Sequence, residues 1–195
     1  NVGATVLKQP VAGYGNACLK GLEYIAAQES KPDIVVFIDG DFSDYVEDME
    51  DIVRPILEDN IDQSKIILFG ISDNGKLISQ KLIDHINKIS DIKIVLIDVI
   101  INNGSIAYSS KFDVLNESII IVGDVSQTGK TLQMVISDLM LYNPSKIKTS
   151  VIINRDHAMF PVKIDYSGLS LSTSVNEHVD VIIDKKGRLS VYLSW

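Results

Sequence analysis

A single cysteine, Cys18, stands among the 195 residues, which excludes an internal disulfide. A chain that folds without one suits a reducing compartment, so a cytoplasmic location is expected. Histidine is scarce too, with three in all. None shares zinc-ligand spacing with a cysteine. A Gly-x-Ser-x-Gly elbow is missing, which leaves a serine hydrolase without support. No apolar run approaches the ~20 residues of a membrane span. No basic segment precedes an apolar one near the start, so no secretory leader is expected. Bases are outnumbered, 18 against 26 acids, for a net charge of −8. With neither a basic stripe nor interleaved aromatics, a nucleic-acid surface is not expected.

What remains is a globular composition, 46% hydrophobic and 23% charged. The length allows one large domain or two small ones with a substantial core. The acids are unevenly placed. Residues 39–62 hold ten of them and one base, Arg54. That block reads most simply as a solvated helix face.

Strand-like and helix-like segments alternate along the chain. A helix is expected over about 16–28, ended by Lys31-Pro32. The apolar run Ile34–Ile38 reads as a strand closing on Asp39-Gly40-Asp41. Asp44 and Glu47 have capping-box spacing. The helix after them should bury Met49, Ile52, Val53, Ile56 and Leu57, with a kink at Pro55. Lys65–Ile71 reads as a strand, Ser72–Gly75 as a polar turn, and the next helix buries Ile78, Leu82, Ile86 and Ile89. Lys93–Val99 and Lys146–Ile153 are further strands. Residues 102–110 look polar and mobile, and 154–178 lack periodicity. Residues 179–183 and 189–193 form a terminal hairpin. The alternation implies an α/β fold of three layers, αβα, around a largely parallel sheet.

Residues 119–131, Ile-Ile-Ile-Val-Gly-Asp-Val-Ser-Gln-Thr-Gly-Lys-Thr, carry the chemistry. A buried strand runs to Asp124, followed by a polar loop, Ser126-Gln127-Thr128-Gly129. Lys130 and Thr131 then open a helix whose apolar face is Leu132, Val135, Ile136, Leu139 and Met140. Free amides and the positive end of a helix attract an anion, and glycine lets the backbone approach it. A small-molecule phosphate ligand is therefore expected. The Walker pattern is excluded, because five residues and not four separate Gly123 from Gly129.

This motif resembles the phosphoribosyl-pyrophosphate loop of type I phosphoribosyltransferases. The likeness extends over residues 66–195. It takes in Asn154-Arg155-Asp156-His157, Phe160-Pro161-Val162, Asp165-Tyr166-Ser167-Gly168 and Ser172-Thr173-Ser174, which are similar to the branch of pyrimidine-operon regulators and uracil phosphoribosyltransferases. The resemblance implies transfer of a 5-phosphoribosyl group from phosphoribosyl pyrophosphate to a nitrogen base, with Mg²⁺ on the pyrophosphate. It implies that Asp124 orients the ribose and that Ser126–Thr131 hold the 5′-phosphate. Ser72, Asp73, Asn74 and Gly75 would hold the pyrophosphate, and Arg155 and Asp156 would contact base or pyrophosphate. The 102–110 segment would close over the site, and a homodimer is expected. Where that family has two adjacent acids, this chain has Gly123-Asp124.

Residues 3–57 resemble something else, an inner fragment of a family-2 glycosyltransferase of the dolichol-phosphate-sugar type. Gln9-Pro10, Gly13-Tyr14-Gly15-Asn16-Ala17, Gly21-Leu22 and Asp33–Asp41 carry that likeness. It implies that Asp39 and Asp41 bind Mn²⁺ or Mg²⁺ on a sugar-nucleotide diphosphate. Two domains, 1–60 and 61–195, are thus expected, joined near Leu57–Asp62 as a chimera and able to share one sheet. Two other readings stand beside the phosphoribosyltransferase: a non-catalytic chimeric scaffold, and a sugar-nucleotide-dependent glycosyltransferase.

Overall fold

The computed structural model describes residues 5–11, 14–29, 32, 35, 49–155, 158–171, 178–183 and 189–194. The chain divides into two compact units, residues 1–43 and 44–195. In the first, helix α1 (Tyr14–Ala26) carries a Lys20–Glu23 ion pair at 3.1 Å. Cys18 is half-buried on it. Residues 5–7 form no strand.

The second unit begins its described part with α2 (Glu50–Glu58), then β1 (Lys65–Ile71), α3 (Ser72–Ile89), β2 (Lys93–Asn102) and β3 (Ser105–Tyr108). Next come β4 (Ser118–Ser126), α4 (Lys130–Leu139), β5 (Lys146–Arg155), β6 (Tyr166–Leu171), β7 (His178–Ile183) and β8 (Leu189–Ser194). Six strands form one sheet in the order β3-β2-β1-β4-β5-β6, parallel except for β3. The last two pair as an antiparallel hairpin, Val181 opposite Val191.

The central strands β1 and β4 are apolar on both faces, as a covered parallel sheet requires. Ile66 and Leu68 of β1, with Ile120 and Val122 of β4, pack under α2 and α3 through Ile52, Ile56, Ile78 and Leu82. Their neighbours Ile67, Phe69, Ile119 and Ile121 pack on the other face against Leu132, Val135 and Leu139 of α4. The expected three layers are therefore present.

Pro55 lies inside α2, where it costs about 3 kcal/mol relative to alanine. Met49, Ile52, Val53 and Ile56 are each at most 1% exposed, and burying each contributes roughly 1.5–3 kcal/mol. Burial wins, and the helix persists. Polar bonds also fix α2 to the sheet. Tyr166 Oη donates to Asp59 Oδ2 at 2.7 Å, and Lys146 Nζ donates to Asp59 O at 2.6 Å. The helix at 50–58 is thus built into the core of the second unit, and the compact units divide between Ser43 and Asp44.

Several expectations change. Residues 102–110 are no loose loop: β2 continues to Asn102 and turns through Asn103 (φ 49°) and Gly104 (φ 83°) into β3. Asn-Gly in left-handed conformation is the turn that matches strand twist in a two-residue hairpin. Phe69 and Phe112 then pack edge-on against Tyr108. Within 154–178, β6 adds an edge strand beside β5. Ser72–Gly75 is the first turn of α3 and not a connecting turn. Ile89 and Met140, expected inside, are 63% and 61% exposed; Ile89 is the last residue of α3 and Met140 caps the end of α4. Ile34, Val36–Ile38 and the Asp44/Glu47 box lie outside the described residues, and Val35, which is described, carries no strand assignment.

Candidate functional site

The chain leaves β1 toward β2 on one side and returns to lay β4 on the other. At such a reversal of strand order, the connections after the two strands diverge and leave a crevice at their carboxyl ends. Here the flanking elements are the N-terminus of α3, the loop Ser126–Gly129 and the N-terminus of α4.

Two cavities occupy the crevice. The first, of about 310 Å³, is lined by Asn74, Asp124–Leu132 and Val179–Val181. The second, of about 430 Å³, is lined by Ile71–Asn74, Gly123–Val125, Thr131, Leu132 and Val151. Asn74, Asp124 and Thr131 line both.

The cradle of the first cavity follows from local geometry. Gly129 takes φ +78°, and a Cβ there would also stand 3.2 Å from Phe160 O, so the turn needs glycine. The first intrahelical bond of α4 runs from Gln133 N to Gly129 O at 2.9 Å. The amides of Thr131 and Leu132 precede it and belong to residues that line the cavity. Lys130 N donates to Thr128 Oγ1 at 3.3 Å. Behind the loop, Met159 N and Phe160 N both donate to Thr128 O, at 2.9 and 3.0 Å. These bonds hold the loop from the side away from the cavity.

The second cavity has a different character. Asp73 and Asp124 line it, and among the described residues no lysine or arginine does. A turn further along α3, Lys76 is held by Asp98 at 2.7 Å, and that bond raises its pKa. Gly75 lines neither cavity. A Cβ on it would lie 2.6 Å from Val122 O, so its bareness serves contact between α3 and β4. Gly123 differs, since a Cβ there meets only Val151 Cγ1 at 3.6 Å, an ordinary contact.

Of the candidate residues, Asp124, Ser126, Gln127, Thr128, Gly129, Lys130, Thr131 and Asn74 converge on the first cavity, and Ser72 and Asp73 on the second. Asp124 stands inside β4, which runs two residues beyond it. Arg155 ends β5, is 7% exposed, and is not among the residues lining either cavity. Asp39, Asp41, Asp156 and His157 lie outside the described residues. Val179, Asp180 and Val181, expected as part of a hairpin, also line the first cavity, a role the sequence does not signal. Only their long-range pairing brings the hairpin to the cavity, and nothing local in 178–183 signals it.

The family model for the phosphoribosyl transferase domain matches residues 43–186. This chain belongs to that family. Its match starts upstream of the 57–62 seam and so includes residues 43–57 of the glycosyltransferase-like segment. Similar curated proteins include the bifunctional protein PyrR of Bacillus cereus (strain AH820), 29% identical over 159 residues, covering 72% of this chain and 88% of that one. The PyrR of Bacillus mycoides (strain KBAB4) is 28% identical over the same length. Among solved structures, a hypoxanthine-guanine phosphoribosyltransferase from Bacillus anthracis superposes with a TM-score of 0.57 at 13% identity, covering 75% of this chain and 85% of that one. The hypoxanthine phosphoribosyltransferase of Trypanosoma cruzi gives 0.60 at 14%, covering 67% and 77%. At such identities the structural likeness speaks for the fold. No described helix is long and apolar enough to cross a membrane.

Proposed function

We propose that the second unit is a phosphoribosyl-pyrophosphate-dependent transferase that moves the 5-phosphoribosyl group to the nitrogen of a base. The names of the solved neighbours, hypoxanthine and hypoxanthine-guanine phosphoribosyltransferases, suggest the class of acceptor, a nucleobase. One observation carries the reading: two helix N-termini, α3 and α4, border adjoining cavities, with Asp124 lining both.

In this reading the amides, hydroxyls and ammonium of residues 128–131 take the 5′-phosphate. Asp124 takes a ribose hydroxyl, and the first turn of α3, Ser72–Asn74, faces the pyrophosphate. Among the described residues, two carboxylates and no base line the second cavity, a poor setting for a naked polyanion. A hard divalent cation between them resolves the repulsion, and carboxylate oxygens are the ligands Mg²⁺ takes. Asp73 and Asp124 are the residues fitted to stand around it, and the cation would neutralise charge on the leaving pyrophosphate. The chain's own contribution is position and fixed dipoles. Departure of pyrophosphate leaves positive charge on the ribose ring, which the Asp124 carboxylate is placed to favour. The C–O bond to pyrophosphate breaks, the base nitrogen forms the new bond to the same carbon, and the proton that nitrogen carried passes to solvent.

Calorimetry with phosphoribosyl pyrophosphate and Mg²⁺ tests this. Micromolar binding that Asp124→Ala abolishes, and that a chelator removes, is the expected result. Absence of heat at millimolar ligand would reject it in favour of a non-catalytic scaffold.

For residues 1–42, outside the family match, the glycosyltransferase-fragment reading and the chimera it implies rest on the sequence likeness. Residues 1–43 do cluster as a unit of their own. If that fragment binds, a nucleoside diphosphate with Mn²⁺ should stabilise the protein thermally, and Asp41→Ala should remove the effect. No shift in the parent protein would dispose of it.

A further inference from the structure

Asn74 has two partners from distant parts of the chain. Its Nδ2 donates to Asp124 Oδ2 at 2.8 Å and to Val181 O at 3.0 Å. A carboxylate and a carbonyl only accept, so the amino end of the carboxamide must face both. Both of its hydrogens are thereby committed. Asp124 is held at its other oxygen too, where Val125 N donates to Oδ1 at 2.7 Å. Rotation of that carboxylate would break one bond or the other, yet each oxygen keeps a lone pair for a ligand.

Val181 lies in β7, 107 residues from Asn74. A second carboxamide treats the same strand alike: Gln127 Nε2 donates to Val179 O at 3.2 Å. Residues two apart on a strand direct their carbonyls along one edge. The first turn of α3 and the loop after β4 therefore each send one amide to a single edge of the hairpin. Gln127 bonds the hairpin, whereas Asn74 bonds the hairpin and Asp124 together.

We infer that Asn74 is a positioning residue that couples the aim of Asp124 to the seating of the β7–β8 hairpin on the site. The part that concerns ligand rests on the function proposed above. The part that concerns the hairpin does not.

The experiment has two arms. Hydrogen exchange in the ligand-free protein follows the amides of 178–183 and 189–194. Asn74→Ala and Gln127→Ala should each speed them several-fold, while β1 and β4 amides stay protected, which also shows that the variants fold. Unchanged hairpin exchange in Asn74→Ala overturns the latch. The second arm measures affinity for phosphoribosyl pyrophosphate with Mg²⁺ together with the amide resonance of Val125, whose N–H donates to Asp124 Oδ1. Asn74→Ala should lose about tenfold in affinity and move that resonance, whereas Gln127→Ala should leave the resonance in place. A Val125 resonance unmoved in Asn74→Ala overturns the link to Asp124, because loosening of the hairpin alone would not reach it. If the parent protein binds no ligand, the proposed function fails and the exchange arm alone decides the latch.

Discussion

Ser118 Oγ donates to Asn60 Oδ1 at 2.8 Å, joining the end of α2 to the start of β4 across 58 positions of sequence. Asn60 is 1% exposed, and its Nδ2 donates to Ile56 O at 2.7 Å. Asn60→Ala would leave the Ser118 hydroxyl and the Ile56 carbonyl buried without that partner. The expected loss is about 1–3 kcal/mol. Urea unfolding should show it as a lower midpoint with an unchanged slope.

The same tie bears on where the domain starts. Removing residues 1–43 should leave a protein that unfolds cooperatively, since α2, α3 and the sheet share one core. Removing residues 1–60 should not, because Met49, Ile52, Val53 and Ile56 go with it. Thermal melts of the two truncations decide the matter. A cooperative transition in the shorter protein would contradict the packing described.

The glycines of the site should respond in opposite ways. Gly75→Ala drives a Cβ to 2.6 Å from Val122 O, a backbone atom that cannot swing away. A cost of about 1–3 kcal/mol is expected from overpacking. Gly123→Ala meets only a 3.6 Å contact and should be within about 0.5 kcal/mol of the parent. Denaturant midpoints of the two variants give the comparison.

Because position 123 has room, Gly123→Asp can restore the paired acids of the resembling family. A charge-assisted hydrogen bond contributes about 1.5–3 kcal/mol. Affinity for phosphoribosyl pyrophosphate with Mg²⁺ should therefore rise about tenfold or more, measured by calorimetry. A fall in affinity would argue against a ribose beside Asp124.

Asp59 and Tyr166 predict pH dependence at both extremes. The hydrogen bond from Tyr166, with help from Lys148, lowers the Asp59 pKa below its ordinary 3.8. Its stabilisation is present above that value and is lost as pH falls through the depressed one. Burial, then the bond to Asp59, raises the Tyr166 pKa above its ordinary 10.0. That stabilisation is complete below pH 10.0 and declines as pH rises above it. Burial and Asp138 act on Tyr108 in the same direction. Tyr166→Phe should flatten the acid limb, and it should leave the alkaline limb to Tyr108 and to the ion-paired Lys76 and Lys148, whose pKa values are raised too. Melting temperatures from pH 2 to pH 11 would show both changes.

Much of this was legible in the sequence where two signals coincide. The apolar run of β4 and the helical spacing from Leu132 flank one loop, and each supports the other. β1 is uniformly apolar because both its faces are covered, so its bounds read directly. Edge strands hide better. Tyr166–Leu171 has serines and a glycine where a central strand would have branched apolar residues, and β3 is four residues long. The Asn103-Gly104 turn was a readable hairpin signal, masked by its polar neighbours. Helix ends misled as well, since periodicity continues through Ile89 and Met140, where the helices themselves end. The wall formed by Val179–Val181 was not legible at all. It depends on bonds to Asn74 and Gln127, and those partners are set by the assembled fold.

At Gly75 the helix axis of α3 rests on main-chain atoms of β4, with no side chain between them. The seating of α3 on β4 is consequently a backbone dimension, like the gap of a fixed gauge. Ordinary side-chain drift elsewhere in the core cannot widen or narrow it. Any variant that keeps Gly75 should therefore hold the start of α3 at the same height over β4, and only a side chain added at that one position would lift it.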